Sequence, residues 1–243
     1  MSYYLGHYET YFDNLDHGLN KDNQLPPFTN WLRDSNVLEA LTKQITTFGK
    51  LISKVFPTVP NIVWELLWIN LTCNSEICAW YAANAEYDRL YAKDELESLL
   101  ADTLPQYSSS VRKNAFGSLQ NTFFNSPLGD VLGVGIAKKI NNKPTFIRKP
   151  HNELSLVGAA YSLYRYAEKV GRRSLTVSEF YNPEQTDGIV RQFGIERESL
   201  EQILRSLEQD SNHVLRAELK MGLDNIILRD DLTSEDILKL MLK

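Results

Sequence analysis

Residues 61–71, NIVWELLWINL, are apolar on nearly every side, with Trp64 and Trp68 one helical turn apart. A helix with no polar face has to be covered all round, so this stretch is the predicted central helix of the core. Upstream, residues 35–56 place Val37, Leu38, Leu41, Ile45, Phe48, Leu51, Ile52 and Val55 three and four apart. That spacing predicts one or two amphipathic helices, with Ser35 as the N-cap. Downstream, Asn74 and Ser75 open a further helix. Residues 94–104 put Leu96, Leu99, Leu100 and Leu104 towards one side, and Pro105 ends that segment. Residues 153–171 form a long helix with Leu156, Ala160, Leu163 and Ala167 inward and Gly171 as its stop.

Between these helices the period changes. A helix beginning near Ser109 breaks at Ser126-Pro127, allows a short turn at 128–132, and passes Gly133 and Gly135 into extended runs at 136–140 and 144–148. The two runs flank Asn141-Asn142-Lys143, a hairpin signal. The same order returns after Leu175: short helices at 176–181 and 188–193, a longer one at 198–208, extended runs at 214–219 and 225–228 around Met221-Gly222-Leu223, and a last helix capped by Thr233-Ser234-Glu235-Asp236. The expected fold is therefore mainly α, a helical core with winged-helix-like units carrying short β-hairpins. The expected organisation is an N-terminal wrapping segment with helices over 1–56, a helical core with a basic winged-helix-like unit over 57–173, and an acidic winged-helix-like unit over 174–243. Residues 1–33 show no sustained helical period, and Tyr3, Tyr4, Tyr8, Tyr11 and Phe12 read as packing anchors.

Charge changes what these units can do. The chain of 243 residues carries a net −5, which by itself disfavours nucleic acid. Residues 111–173, however, hold eleven Lys or Arg against three acids; that net of +8 leaves −13 for the remainder. A positive field concentrated on one part of an acidic body suits a phosphate-binding face. The candidate nucleic-acid-binding residues are Arg112, Lys113, Lys138, Lys139, Lys143, Arg148 and Lys149. Arg165, Lys169, Arg172 and Arg173 have a simpler explanation, because they sit where cations complement a helix C-terminus. In the last unit, Glu184, Glu196, Glu198, Glu201, Glu208 and Asp210 would repel phosphate, so that unit is expected to face a protein.

Catalytic and cofactor signals are sparse. No phosphate-cradling glycine loop, GxSxG elbow or HExxH spacing occurs, and no cofactor is expected. Cys73 and Cys78 lack the further ligands a zinc site needs and read as two partly buried thiols, so no metal site is expected. His7 and His17, among Glu9, Asp13 and Asp16, are the one grouping that a metal-dependent nuclease could use. No apolar run approaches a membrane span and the N-terminus does not read as a secretory signal, which together predict a cytoplasmic protein without a membrane partner.

Several stretches resemble one bacterial family. They are Trp64-Glu65-Leu66-Leu67-Trp68 with Asn70-Leu71, Ala79-Trp80-Tyr81, Val111-Arg112-Lys113, the Ser126-Pro127-Leu128-Gly129 turn, the helices from Leu175-Thr176-Val177 to Leu207, and Gly222-Leu223-Asp224-Asn225. In pattern and order, over about two-thirds of the chain, they resemble a family encoded beside phosphoadenosine phosphosulfate (PAPS) reductase-like proteins, which includes the SspB-type component of DNA phosphorothioation and phage-defence systems. The resemblance implies an accessory protein that works at DNA with a PAPS-reductase-like or other sulfur-modification partner; some members are described as DNA nickases. Gly6-His7-Tyr8-Glu9-Thr10-Tyr11-Phe12 departs from that family's Gly-His-Glu-Thr-Phe start at Tyr8 and Tyr11, so no catalytic residue is carried over and any enzymatic role would be DNA nicking.

Overall fold

The computed structural model describes residues 1–13, 18–140, 143–220 and 222–242. In chain order the helices before the first sheet are α1 (Ser2–Gly6), α2 (Leu25–Asp34), α3 (Thr47–Val55), α4 (Pro60–Asn74) and α5 (Glu76–Asn84). Then come β1 (Leu90–Ala92), α6 (Lys93–Thr103), α7 (Ser109–Phe124), the single turn α8 (Pro127–Asp130), and the hairpin strands β2 (Ile136–Ile140) and β3 (Lys143–Ile147). The rest comprises α9 (Leu156–Val170), β4 (Ser174–Thr176), α10 (Val177–Phe180), α11 (Ile189–Phe193), α12 (Arg197–Gln209), β5 (Leu215–Glu218), β6 (Asn225–Leu228) and α13 (Ser234–Met241). Among the described residues the chain is mainly helical, with two small three-stranded antiparallel sheets. None of these helices is long and apolar enough to cross a membrane.

The apolar girdle of 61–71 has the place its pattern demands. Every residue of α4 from Val63 to Thr72 is buried, and α2, α3, α5, α8, α9 and α11 all pack against this helix. Two polar members of α4 are satisfied by distant partners. Asn70 donates to the Ser35 carbonyl (3.1 Å) and accepts from the Tyr161 hydroxyl (2.8 Å). Glu65, 3% exposed, receives the hydroxyl and backbone N–H of Ser155 and lies 3.1 Å from His151 Nε2. Ser155 is the N-cap of α9, so this buried carboxylate sits at the positive end of a helix, where a negative charge is stabilised. The indole N–H of Trp68 donates to the Gln192 carbonyl at 2.8 Å and pins α11 to α4.

The N-terminal third differs from the expected pattern. Ser35 is not an N-cap; it follows the end of α2, which begins with Pro26 and Pro27 in its first turn. Proline suits that position because the first N–H groups of a helix have no partner. Residues 36–46 form a loop closed by an isolated Leu38–Ile45 bridge, and Leu41, counted in the apolar stripe, is 94% exposed. Thr46 starts α3 instead, its hydroxyl accepting from the Gly49 N–H at 2.9 Å. Tyr4 and Tyr11 do anchor the N-terminus, as buried rings packed edge-on at 5.0 Å.

The two sheets are built alike. In each, a three-residue strand follows a helix, further helices intervene, and a hairpin returns so that its second strand pairs with the first; the orders are β1-β3-β2 and β4-β6-β5. The last helix has the reciprocal capping box read from sequence, at Thr233/Asp236, and Thr176, one of the two residues (with Ser178) that the sequence offers as the cap of α10, forms a second with Glu179. Gly171 takes the left-handed conformation (φ 72°) that ends α9 and that other residues adopt only under strain.

Candidate nucleic-acid interface

α7 is positioned by its apolar edge. Phe116, Leu119 and Phe123 are buried, with Phe116 against Phe146 of β3 (5.6 Å between rings) and Phe123 against Tyr81 (4.9 Å) and Trp68 (6.0 Å). The hydroxyl of Ser108 caps the helix by accepting from Val111 N–H. After α7 the chain turns through Ser126-Pro127 and comes back so tightly that a Cβ on Gly135 would lie 2.5 Å from the Phe123 ring. That close return sets β2 directly beside α7.

The hairpin register places Ala137 opposite Phe146, Lys138 opposite Thr145, Lys139 opposite Pro144 and Ile140 opposite Lys143. Partners in a register share a face and neighbours along a strand alternate. Lys138 and Lys143 therefore stand on the outer face, and Lys139 on the face that carries Phe146 towards α7. Asn141 and Asn142 of the predicted turn lie outside the described residues.

The seven predicted cations divide into three kinds. Lys113 on α7 and Lys138, Lys139 and Lys143 on the hairpin are exposed, and among the described residues none has a carboxylate within ion-pair distance. Lys149 is also exposed but pairs with Asp88 at 2.6 Å, and the half-buried Arg112 donates from Nη1 to the Leu104 and Tyr107 carbonyls at the turn into α7. An exposed pair of the Lys149 kind is worth little in water and exchanges readily for another anion.

Arg148 corrects the expectation. It is 1% exposed and is not part of any surface. Its Nη1 donates to the carbonyls of Ala82 and Ala85 (2.9 Å each) at the end of α5, and its Nη2 to the Arg191 carbonyl (2.7 Å) in α11 and to the Tyr87 hydroxyl. The guanidinium also lies 4.1 Å from the Tyr87 ring centroid. A delocalised cation at the negative ends of two helices satisfies carbonyls that helix geometry leaves open. Burial keeps the Tyr87 hydroxyl above its ordinary pKa, with Arg148 pulling the other way, so Tyr87 stays a donor to the Arg191 carbonyl. Arg148 is a structural bracket between the first sheet and α11.

The six remaining candidates still stand in unusually acid-poor sequence. From 103 to 152, Asp130 is the sole carboxylate. The face of α7 opposite the buried Phe116, Leu119 and Phe123 carries Ser110, Asn114, Ser118 and Asn121 with the half-buried Gly117, flanked by the exposed Val111 and Lys113. Ser, Asn and Gly are poor helix formers, each roughly 0.5–1 kcal/mol less favourable than Ala. α12 occupies the same place in the second unit and exposes mostly residues that favour helix, Arg197, Glu198, Gln202, Arg205 and Gln209, beside Ser206. Its arginines are spent internally: Arg197 and Arg205 both bind Glu201, at 3.2 and 3.1 Å. Sequence reading named the hairpin lysines from their charge; the run of Asn, Ser and Gly on α7 carries no charge and was not singled out.

The other candidates gather no chemistry. His7 hydrogen-bonds through Nδ1 to the Tyr3 carbonyl (3.0 Å), while Asp16 and His17 lie outside the described residues. Burial pushes the Cys78 thiol up to about 12 and also raises Cys73, so both are protonated at neutral pH. Among the described residues no three His, Cys, Asp or Glu side chains converge as a metal site. No family model, curated protein or solved structure matches the chain.

Proposed function

We propose that β1 to β3 with α5 to α8 form a winged helix that binds duplex DNA, with the hairpin lysines on phosphates. The observation that carries this reading is the contrast between two units of one topology in the same chain. Among the described residues the first keeps Lys113, Lys138, Lys139 and Lys143 without a carboxylate partner, in a stretch from 103 to 152 whose sole carboxylate is Asp130. In the second, Arg197, Arg205, Arg216 and Arg229 are each held by a carboxylate and Arg191 by carbonyls, as with Arg216 on Glu218 (2.7 Å) and Arg229 on Asp231 (2.6 Å), and Lys220 is the one exposed lysine without an ion pair among its described residues. The α7–hairpin stretch of the first unit offers unpaired positive charge; the second unit exposes Glu196 and Glu198 and suits a protein partner.

With the family resemblance, this supports a DNA-binding accessory component of a bacterial DNA sulfur-modification or phage-defence system, acting beside a PAPS-reductase-like protein in the cytoplasm. For the nickase alternative, Asp16 and His17 of the grouping around His7 lie outside the described residues, and among the described residues no three His, Cys, Asp or Glu side chains converge as a metal site.

The test is the triple variant K138E/K139E/K143E in a fluorescence titration of a duplex across a salt series. Affinity is expected to fall on the order of tenfold or more. Each lost phosphate contact should lower the slope of log affinity against log salt by about 0.9. An unchanged slope in a folded variant would remove the hairpin from the interface.

A further inference from the structure

We infer that the cleft between α5 and α11 binds a small organic anion, a carboxylate or phosphate monoester with an apolar body, through Arg191. The inference goes beyond the DNA-binding reading and does not rest on it, because it uses no residue of α7 or of the hairpin.

The cleft has a volume of about 310 Å³ and lies where the first unit meets the second. Pockets that hold small molecules begin at roughly 300 Å³. On the α5 side its lining is low and apolar. Ala79 and Ala83 stand one helical turn apart on one face, and Leu104, the residue that ends α6, lies beside them. The polar side comes from Lys169 near the end of α9, from Thr186 and Asp187 in the loop before α11, and from Arg191.

Arg191 is the exception among the arginines of the second unit. Arg197, Arg205, Arg216 and Arg229 each hold a carboxylate, whereas Arg191 has none within ion-pair distance among the described residues. Its Nε donates to the Gln185 carbonyl and its Nη2 to the Pro183 carbonyl at 2.8 Å. These bonds fix the guanidinium plane without neutralising its charge, and they leave Nη1 with no partner in the chain. A cation held in place beforehand loses little freedom when it takes a ligand. Because Arg191 is half-buried, its attraction for an oxyanion is also less screened than at the open surface.

Nothing else in the cleft supplies the missing anion. Asp187 is occupied by Lys169 (2.5 Å) and by the Gly188 N–H (2.7 Å), and Glu76 receives the Tyr107 hydroxyl (2.6 Å). The buried groups at the base are also engaged: Gln192 between Ser162 and Thr72, and the Trp80 indole N–H on the Thr103 hydroxyl. The exposed Thr186 hydroxyl makes no hydrogen bond among the described residues and adds a second open donor. A guanidinium edge with a hydroxyl suits the oxygens of a carboxylate or phosphate. Ala79, Ala83 and Leu104 offer the rest of the ligand apolar contact and no polar side chain, which selects a ring or short aliphatic body. An occupant would span α5 and α11, the same two helices whose Ala82 and Arg191 carbonyls clasp Arg148.

The experiment is calorimetric titration of the full-length protein with four probes: phenyl phosphate, benzoate, benzyl alcohol and inorganic phosphate. Phenyl phosphate or benzoate should bind on the order of tenfold tighter than either benzyl alcohol or inorganic phosphate, since only these two carry both head group and body. The tighter of the two assigns the head group. Ala83→Phe fills the cleft and should weaken that probe on the order of tenfold or more. Thr186→Val, at an exposed position that leaves folding untouched, should weaken it severalfold and decides the matter if Ala83→Phe does not fold. K138E/K139E/K143E should bind it as wild type does. Wild-type affinity in the cleft variants, or loss of binding in the lysine variant, would place the anion elsewhere and overturn the inference. Benzyl alcohol binding as tightly as benzoate and phenyl phosphate would overturn the role of Arg191, and no heat with any probe at millimolar concentration would overturn the site itself.

Discussion

Arg148→Met is expected to lower the free energy of unfolding by about 3–5 kcal/mol, read from the denaturant midpoint. The substitution keeps side-chain length but removes every donor. The carbonyls of Ala82 and Ala85, which now receive Nη1 at 2.9 Å, would be left without that donor, and the Arg191 carbonyl would keep only the Tyr87 hydroxyl. Each such orphan costs about 1–3 kcal/mol. Arg148→Lys retains the charge but not the planar fork, so it is expected to recover only a minor part of the loss. Small globular proteins are stable by about 5–15 kcal/mol, which makes this single side chain a large fraction of the whole. The Lys variant, assayed where it is folded, should bind DNA with the wild-type salt slope. A slope reduced by about one unit would return Arg148 to the phosphate-binding set.

Trp68→Ala should cost a comparable about 3–5 kcal/mol. The side chain is fully buried, and its N–H fills the Gln192 carbonyl at 2.8 Å. Gln192 is itself a junction: its side chain accepts from the Ser162 hydroxyl (2.6 Å) and donates to the Thr72 hydroxyl (3.0 Å). Truncation therefore opens a cavity and unsettles the contact of α4 with α11. Trp68→Phe separates the two effects. It fills most of the space and should lose about 1–2 kcal/mol, chiefly the unpaired carbonyl. Equal losses for Ala and Phe, measured by the same denaturation, would mean that the hydrogen bond rather than the packing carries the site.

Much of this was legible in the chain because it is local. The all-round apolar run at 61–71 could only be a buried helix, and the turn signals beside the extended runs at 136–140 and 225–228 marked the strands that were found there. Thr176, Thr233 and Gly171 act within one turn of where they stand, so their signals survive without tertiary context. β1 and β4 were not legible. Three residues are too few to show a period of two, and both are strands only because β3 and β6 arrive to pair with them. Ser35 misled for a related reason: serine suits either end of a helix, and the nearer end belonged to α2. Arg148 was the costliest misreading, since counting cations along a segment treats a buried guanidinium and an exposed lysine as equal. The lysines of the hairpin were readable as charge; the opposing choices on α7 and α12 became meaningful only once the two helices were seen to hold equivalent places.

The closure of α4 by later parts of the chain also bears on how the protein is made. Trp64, Leu67 and Trp68 leave the ribosome long before α9 and α11, the helices that cover them, have been synthesised. Until residues 156–193 emerge, the parts of α4 that α9 and α11 cover stay open, although α2, α3, α5 and α8 pack elsewhere on it, and the contacts that close it span roughly a hundred residues of sequence. Non-local closure of this kind is slow and leaves nascent chains prone to association. A fragment ending at the 105–108 turn would contain the whole of α4 and still be sticky, whereas one extending beyond α11 would carry its own cover.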